Sequence, residues 1–207
     1  MMKHKIFIDS NKGFTPVFFL ILMAYFRQWD NPTAFLYLAL HGSYGLLWVI
    51  KSNLFPDKAW ERRVSWAYGL LSWFGLCLYW IGGWIVFSQA VQAPPWWLGA
   101  CGSIYIFGVF FHFTADMQKY TSLKNNPDHL ITDGLFGRVR NMNYFGELLI
   151  YAGFGLLAMH WLPVVVLLLW VAVIWLPNMA RKDRSLARYP GFEAYRKRTS
   201  LFIPFIY

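Results

Sequence analysis

The sequence is poor in the groups that build soluble or disulfide-bonded proteins. Only two cysteines occur in 207 residues, Cys77 and Cys101, each inside an apolar run. With no Cys-x-x-Cys and no Cys/His ligand spacing, neither a disulfide framework nor a zinc site is expected. Charge is scarce as well: 14% of residues are charged and 57% are hydrophobic, whereas a soluble domain carries about 25% and 45–50%. No Walker loop, His-Glu-x-x-His or Gly-x-Ser-x-Gly occurs. Gly153-Phe-Gly-Leu-Leu-Ala158 fits a dinucleotide fingerprint in letters only, since it lies inside an apolar helix with no strand before it. No repeat, low-complexity tract or long linker divides the chain, so residues 1–207 read as one integral membrane domain.

What the chain does have is long apolar runs and aromatic residues, 21% of the total with 12 Trp, which suits rings settling at two lipid–water interfaces. A helix needs about 20 mostly apolar residues to cross the hydrocarbon. On that measure the chain is all-α and polytopic, with six spans at Gly13–Phe26, Thr33–Ile50, Ser65–Phe87, Pro95–Ala115, Tyr144–His160 and Leu162–Met179. The first is short, and Lys12 and Arg27 are expected to reach the interface from its ends. Pro163 suits the first turn of the last span, making spans five and six an antiparallel hairpin. No small-x-small cleavage site follows Phe26, so the first run is read as a retained anchor.

Basic residues fall on alternate connections. The N-terminus, 51–63, 117–143 and the tail after Met179 carry three, four, four and seven Lys or Arg, 18 of the 19, and the opposite connections hold only Arg27. The positive-inside rule then places both termini in the cytoplasm, in an integral membrane protein expected in a bacterial inner membrane. The net charge of +9 is accounted for by topology and phosphate contact. Membrane lipids and a lipid-like small molecule are the expected partners, and nucleic acid is not.

The stretch Asp133-Gly-Leu-Phe-Gly-Arg-Val-Arg-Asn-Met-Asn-Tyr-Phe-Gly-Glu147 holds the densest chemistry. Arg138 and Arg140 suit phosphate or carboxylate recognition, and Asn141 and Asn143 offer donors and acceptors to a heterocyclic amide. Glu147 lies about a turn into a span, where a carboxylate needs a partner or a polar cavity, unless it merely caps the helix start. His112 and Asp116, four apart on one helix face, are suited to hold a ribose or amide or to satisfy each other. In the second span His41, Tyr44 and Trp48 share a face. His41 or Tyr44 is a candidate to donate a hydrogen bond or proton to a substrate carbonyl, the alternative being helix–helix glue. Gly42 and Gly45 let a neighbouring helix or ligand approach, and Gly69, Gly75, Gly82 and Gly83 suit helix packing. Arg181, Lys182 and Arg184 begin where the last span ends and are candidate phosphate ligands. The apolar end of the tail is expected to fold back and cover this region.

The last 95 residues or so resemble the C-terminal domain of the steroid 5α-reductase family, in a branch of small bacterial membrane proteins. The resemblance is carried by Asp133-Gly-Leu-Phe136, Asn143-Tyr-Phe-Gly-Glu147, the Trp161-Leu-Pro163 corner, Tyr189-Pro190 and Tyr195, and the terminal Ile203-Pro-Phe-Ile-Tyr207. It implies an NADPH-dependent reductase of an activated C=C bond in a lipid-like substrate, with the cofactor at the cytoplasmic ends of the last helices. It implies cofactor contacts at Asn143, Tyr144, Glu147, Asp116 and Arg181, with His112 where the family has asparagine. Lys182-Asp-Arg-Ser stands where several members have His and Tyr. Membrane methyltransferases of the isoprenylcysteine type, which use S-adenosylmethionine, resemble the chain in the Arg140-x-x-x-Tyr144 spacing and Tyr195. They differ in having His-Pro where Asn141-Met142 stands here. A non-enzymatic scaffold or lipid-binding protein is the third alternative, and would leave Asp116 and Glu147 without a ligand.

Overall fold

The computed structural model describes residues 1–206, so Tyr207, the last residue of the terminal motif, lies outside the described residues. The chain is almost entirely helical. Its main helices are α1 (His4–Tyr25), α2 (Pro32–Leu54), α3 (Trp66–Ser88), α4 (Pro95–Asn125), α5 (Met142–Gly155), α6 (Trp161–Leu186) and α7 (Phe192–Arg198). Five of them, α1 to α4 and α6, are long and apolar enough to cross a membrane. The expected fifth span is a helix, but it ends at Gly155 with a short 3-10 turn, Leu156–Ala158, and falls below that length. A left-handed Met159 stops it.

Local chemistry sets the helix starts. Asn31 caps α2 by accepting from Thr33 N at 2.9 Å and Ala34 N at 3.3 Å, with Pro32 in the first turn. Ser65 accepts from Tyr68 N at the head of α3, and His160 Nδ1 from Leu162 N at the head of α6, where Pro163 sits in the first turn as expected. Helix α1 begins earlier than the apolar run suggests. A two-residue pairing of Met2–Lys3 with Arg63–Val64, and a bond from His4 N to Arg62 O, fix its entry. Both α2 and α6 contain a widened π turn, Leu38–Gly42 and Val171–Trp175. In α6 it precedes Pro177, which has no N–H to give the ladder.

The two ends of the bundle differ. At one end Asn31 Nδ2 donates to Val91 O, Ala93 N to Thr33 Oγ1, and Trp97 Nε1 to Leu156 O. At the other, ion pairs gather the basic connections: Lys3–Glu61 at 2.6 Å, Lys119–Asp57 at 2.7 Å and Arg140–Asp183 at 3.2 Å. Between them the outward faces are apolar, with Leu71 and Phe74 of α3, Ile106 and Phe110 of α4, and Leu168 and Val173 of α6 exposed. An apolar belt of this extent belongs in lipid.

Helices α4 and α5 run antiparallel at very close range. A Cβ on Gly108 would lie 2.6 Å from Ile150 N, one on Gly153 2.8 Å from Tyr105 Cβ, and one on Gly146 would run into the His112 backbone. Small residues therefore set this crossing. Gly42 and Gly45 of α2 do the same against Pro16 and the Lys12 carbonyl of α1, and Gly69 and Gly83 of α3 against Phe7 and Phe19. Gly42 and Gly45 thus admit a helix.

Asp57 lies in the connection after α2, outside the spans. Burial acts to raise its carboxyl, but the Lys119 ammonium, the Ala59 N–H and the charge of Lys51 together outweigh that and hold it below the ordinary value of 3.8. A depressed folded-state pKa contributes stability that is fully present above 3.8 and lost as the pH falls through the lower folded value. Melting of the detergent-solubilised protein should accordingly lose stability below about pH 4, and Asp57→Asn should flatten that part of the profile.

Candidate functional site

The close approach of α4 and α5 brings His112 against the start of α5, where His112 Nδ1 lies 2.9 Å from Asn143 O. A carbonyl accepts only, so Nδ1 carries the hydrogen toward Asn143, and Nε2 is left without a hydrogen-bond partner among the described residues. Asp116, one turn further on, is 7% exposed, with its Oδ2 3.8 Å from His112 Nε2, within ion-pair reach but beyond a hydrogen bond. Its closest partner is Lys51 of α2, at 2.7 Å and only 3% exposed, a residue not singled out by any motif. The expected His112–Asp116 couple is thus joined by Lys51, which is the closer partner of the same carboxylate oxygen.

Three buried polar atoms at this crossing have no hydrogen-bond partner among the described residues: His112 Nε2, Asp116 Oδ1 and Asn143 Oδ1. A buried acceptor left bare costs about 1–3 kcal/mol. All three atoms would be satisfied by a ligand rich in N–H and O–H groups. That is the capacity to bind which this crossing offers.

Glu147 turns inward and accepts from Tyr44 OH at 2.9 Å. One turn on, Tyr151 OH accepts from Lys12 Nζ at 2.7 Å, and the Lys12 ammonium lies 4.2 Å from the Tyr44 ring centre. Lys12 is thus buried in the middle of α1, at 4% exposure, and the expectation that it reaches the interface is corrected. The reason is that α1 extends back to His4, which places Lys12 inside the bundle. Tyr144 sits half-buried beside Trp175 of α6. His41 packs in a helix seam, its ring stacked 3.9 Å from that of Phe154 and its Nδ1 3.0 Å from Tyr37 OH.

The basic residues divide into two groups. Arg140 is buried and fully engaged: Nε donates to Asp183 at 3.2 Å, and Nη1 to Arg196 O and to Thr199 O and Oγ1. Lys182 donates to Arg140 O and Asn141 Oδ1, both at 2.9 Å. These two, expected as open phosphate ligands, tie α6 and the tail to the start of α5. Arg138 is exposed with no ion pair among the described residues, and Arg181 bonds only Asn178. Arg138, Arg181 and Arg184 thus have exposed side chains, while Arg188 donates to Ser185 and Tyr189.

The tail folds back at residues 199–201, as expected, but its last described apolar residues, Phe205 and Ile206, are exposed and do not cover the region. Arg140 N donates to Ser200 O, Ser200 N to Arg138 O, and Asn141 N to Leu201 O. Tyr195 OH donates to Phe136 O at 2.9 Å, and burial pushes its hydroxyl up to about 12, which keeps it a donor. Removing that hydroxyl in Tyr195→Phe leaves a buried carbonyl bare. An expected loss of about 1–3 kcal/mol would be read from detergent melting.

A groove of about 680 Å3 opens beside this region, lined by Phe55, Phe113, Met117, Gln118, Thr121 and Asp133 among others. It runs along the face of α4 that carries Phe113, Met117 and Thr121.

The profile of a family described as "Protein of unknown function (DUF1295)" matches residues 76–199, more than half of the chain and all of the α4–α5 crossing. No curated protein matches the chain.

Proposed function

The chain belongs to the DUF1295 family, which is related to the steroid 5α-reductase-like membrane proteins, and on that premise we propose that it is a membrane-embedded NADPH-dependent reductase of an activated C=C bond in a lipid-like substrate. The observation that carries this reading is the pair of bare acceptors Asp116 Oδ1 and Asn143 Oδ1, with His112 Nε2 also unpartnered among the described residues, together with the exposed side chains of Arg138 and Arg181. Ribose hydroxyls and a carboxamide NH2 supply donors to such acceptors, and phosphates suit Arg138 and Arg181. The residues present therefore fit NADPH. S-adenosylmethionine also offers hydroxyls and an ammonium, but it is cationic, and an arginine rim repels it where it attracts a polyphosphate.

When bound, NADPH supplies a hydride. Lys51 holds Asp116 in place so that its second oxygen stays free for a ligand donor. His112 is oriented by the Asn143 carbonyl. The Tyr44–Glu147 pair reaches from the half-buried α5 surface into the bundle and is suited to carry a proton to the reduced carbon. The apolar belt admits a lipid-like substrate from the bilayer. With the basic connections at one end of the bundle, this site faces the cytoplasm by the positive-inside rule, in a bacterial inner membrane.

The test is a pair of ligand titrations followed by detergent melting, since a ligand held only by the folded state raises the transition. NADPH is expected to raise it and S-adenosylmethionine to leave it unchanged. A response to S-adenosylmethionine alone would transfer the site to methyl transfer, and a response to neither would favour a scaffold.

A further inference from the structure

Lys12 is the one buried cation of the bundle interior that has no carboxylate within 4.0 Å among the described residues; Lys51 has Asp116, and Arg140 has Asp183. Its ammonium instead sits in an aromatic cage, 4.2 Å from the Tyr44 ring centre, 5.1 Å from that of Tyr151 and 5.2 Å from that of Trp48. An ammonium has three N–H donors, and Tyr151 OH takes one. Two remain. The nearest anion of the network, Glu147, is already receiving the Tyr44 hydroxyl. An intramembrane cation so placed is expensive unless something further accepts from it. Tyr44, in contrast, has committed its hydrogen, so it is poorly placed to greet a substrate carbonyl. The spare donors belong to Lys12.

Resting on the reductase reading above, we propose that Lys12 is the group that receives the carbonyl oxygen of the lipid-like substrate. In the reaction the β-carbon of the enone accepts hydride, and the C=C electron pair shifts so that negative charge develops on the carbonyl oxygen. Lys12 N–H groups hold that charge, as donors aimed at a developing oxyanion do. The α-carbon then takes a proton drawn from solvent through the Glu147–Tyr44 pair. The alkene is reduced, the nicotinamide is oxidised, and one proton is consumed. The cage rings of Tyr44, Trp48 and Tyr151 fix the amine and present apolar surface to the carbon chain.

The test uses the full-length protein in detergent and (E)-3-nonen-2-one as probe, added without cofactor, with melting as the readout. The wild type is expected to shift upward. Lys12→Met should lose the shift, and Lys12→Gln, a polar replacement that serves if the methionine variant fails to fold, should lose most of it. The same chain without the carbonyl, (E)-3-nonene, should shift neither protein. An enone shift in either variant equal to wild type, no enone shift in wild type, or an equal shift by the alkene, overturns the assignment. NADPH titrated into the same preparations separates the two ideas. A wild type that ignores NADPH contradicts the reductase, while the enone comparison still judges Lys12.

Discussion

Asp116→Ala is expected to be the most damaging single substitution, costing about 3–5 kcal/mol, because it strands the Lys51 ammonium in a buried place. The two side chains are 7% and 3% exposed and 2.7 Å apart, joining α2 to α4. The measurement is unfolding of the detergent-solubilised protein by increasing sodium dodecyl sulfate. The double variant Lys51→Met/Asp116→Leu should recover most of the loss, since an apolar pair removes both desolvated charges together. A double variant as unstable as Asp116→Ala would show that the carboxylate does something else for the fold.

The second large effect concerns the tail. Arg140→Met removes the bonds to Arg196 O, Thr199 O and Thr199 Oγ1 and leaves the Asp183 carboxylate without its cation. A loss of similar size, about 3–5 kcal/mol, is expected, but it should be local. Residues 192–201 are held to 138–141 chiefly through this guanidinium and the short backbone pairing. Limited proteolysis should therefore cut Arg140→Met after the tail arginines while the helical bundle still melts cooperatively. Arg138→Met, whose side chain is exposed and makes no ion pair among the described residues, should not change the cleavage pattern.

Much of the fold was readable in the sequence because the bilayer imposes simple rules. Long apolar runs located the helices, Asn31-Pro32 and the Trp161–Pro163 corner marked turns, and the alternation of basic connections matched the end of the bundle where the ion pairs gather. The fifth span was overextended because Leu156 to His160 continues the apolar composition past the helix, and composition does not register a left-handed Met159. Lys12 was misplaced for a related reason. A lysine at the edge of an apolar run looks interfacial, yet His4, Asn11, Lys12 and Thr15 form a polar stripe at helical spacing that faces protein. That stripe was the available signal.

The site was legible in its residue types and less so in its partners. His112, Asp116, Asn143 and Glu147 stand out as polar groups near an apolar segment. That Asp116 belongs to Lys51, 65 positions earlier, depends on how α2 meets α4. Arg138 and Arg140 look alike in sequence, and only the returning tail decides which is committed. Tyr44 and Glu147 were singled out separately; their 2.9 Å bond joins them.

The account stands most directly on the bare acceptor of Asn143. The dissociation constant of NADPH, measured by titration of the wild type and of Asn143→Ala in detergent, should rise about tenfold in the variant, the factor expected for losing one buried hydrogen bond of about 1.4 kcal/mol. An unchanged constant, with both proteins folded, would contradict a nucleotide held at the α4–α5 crossing.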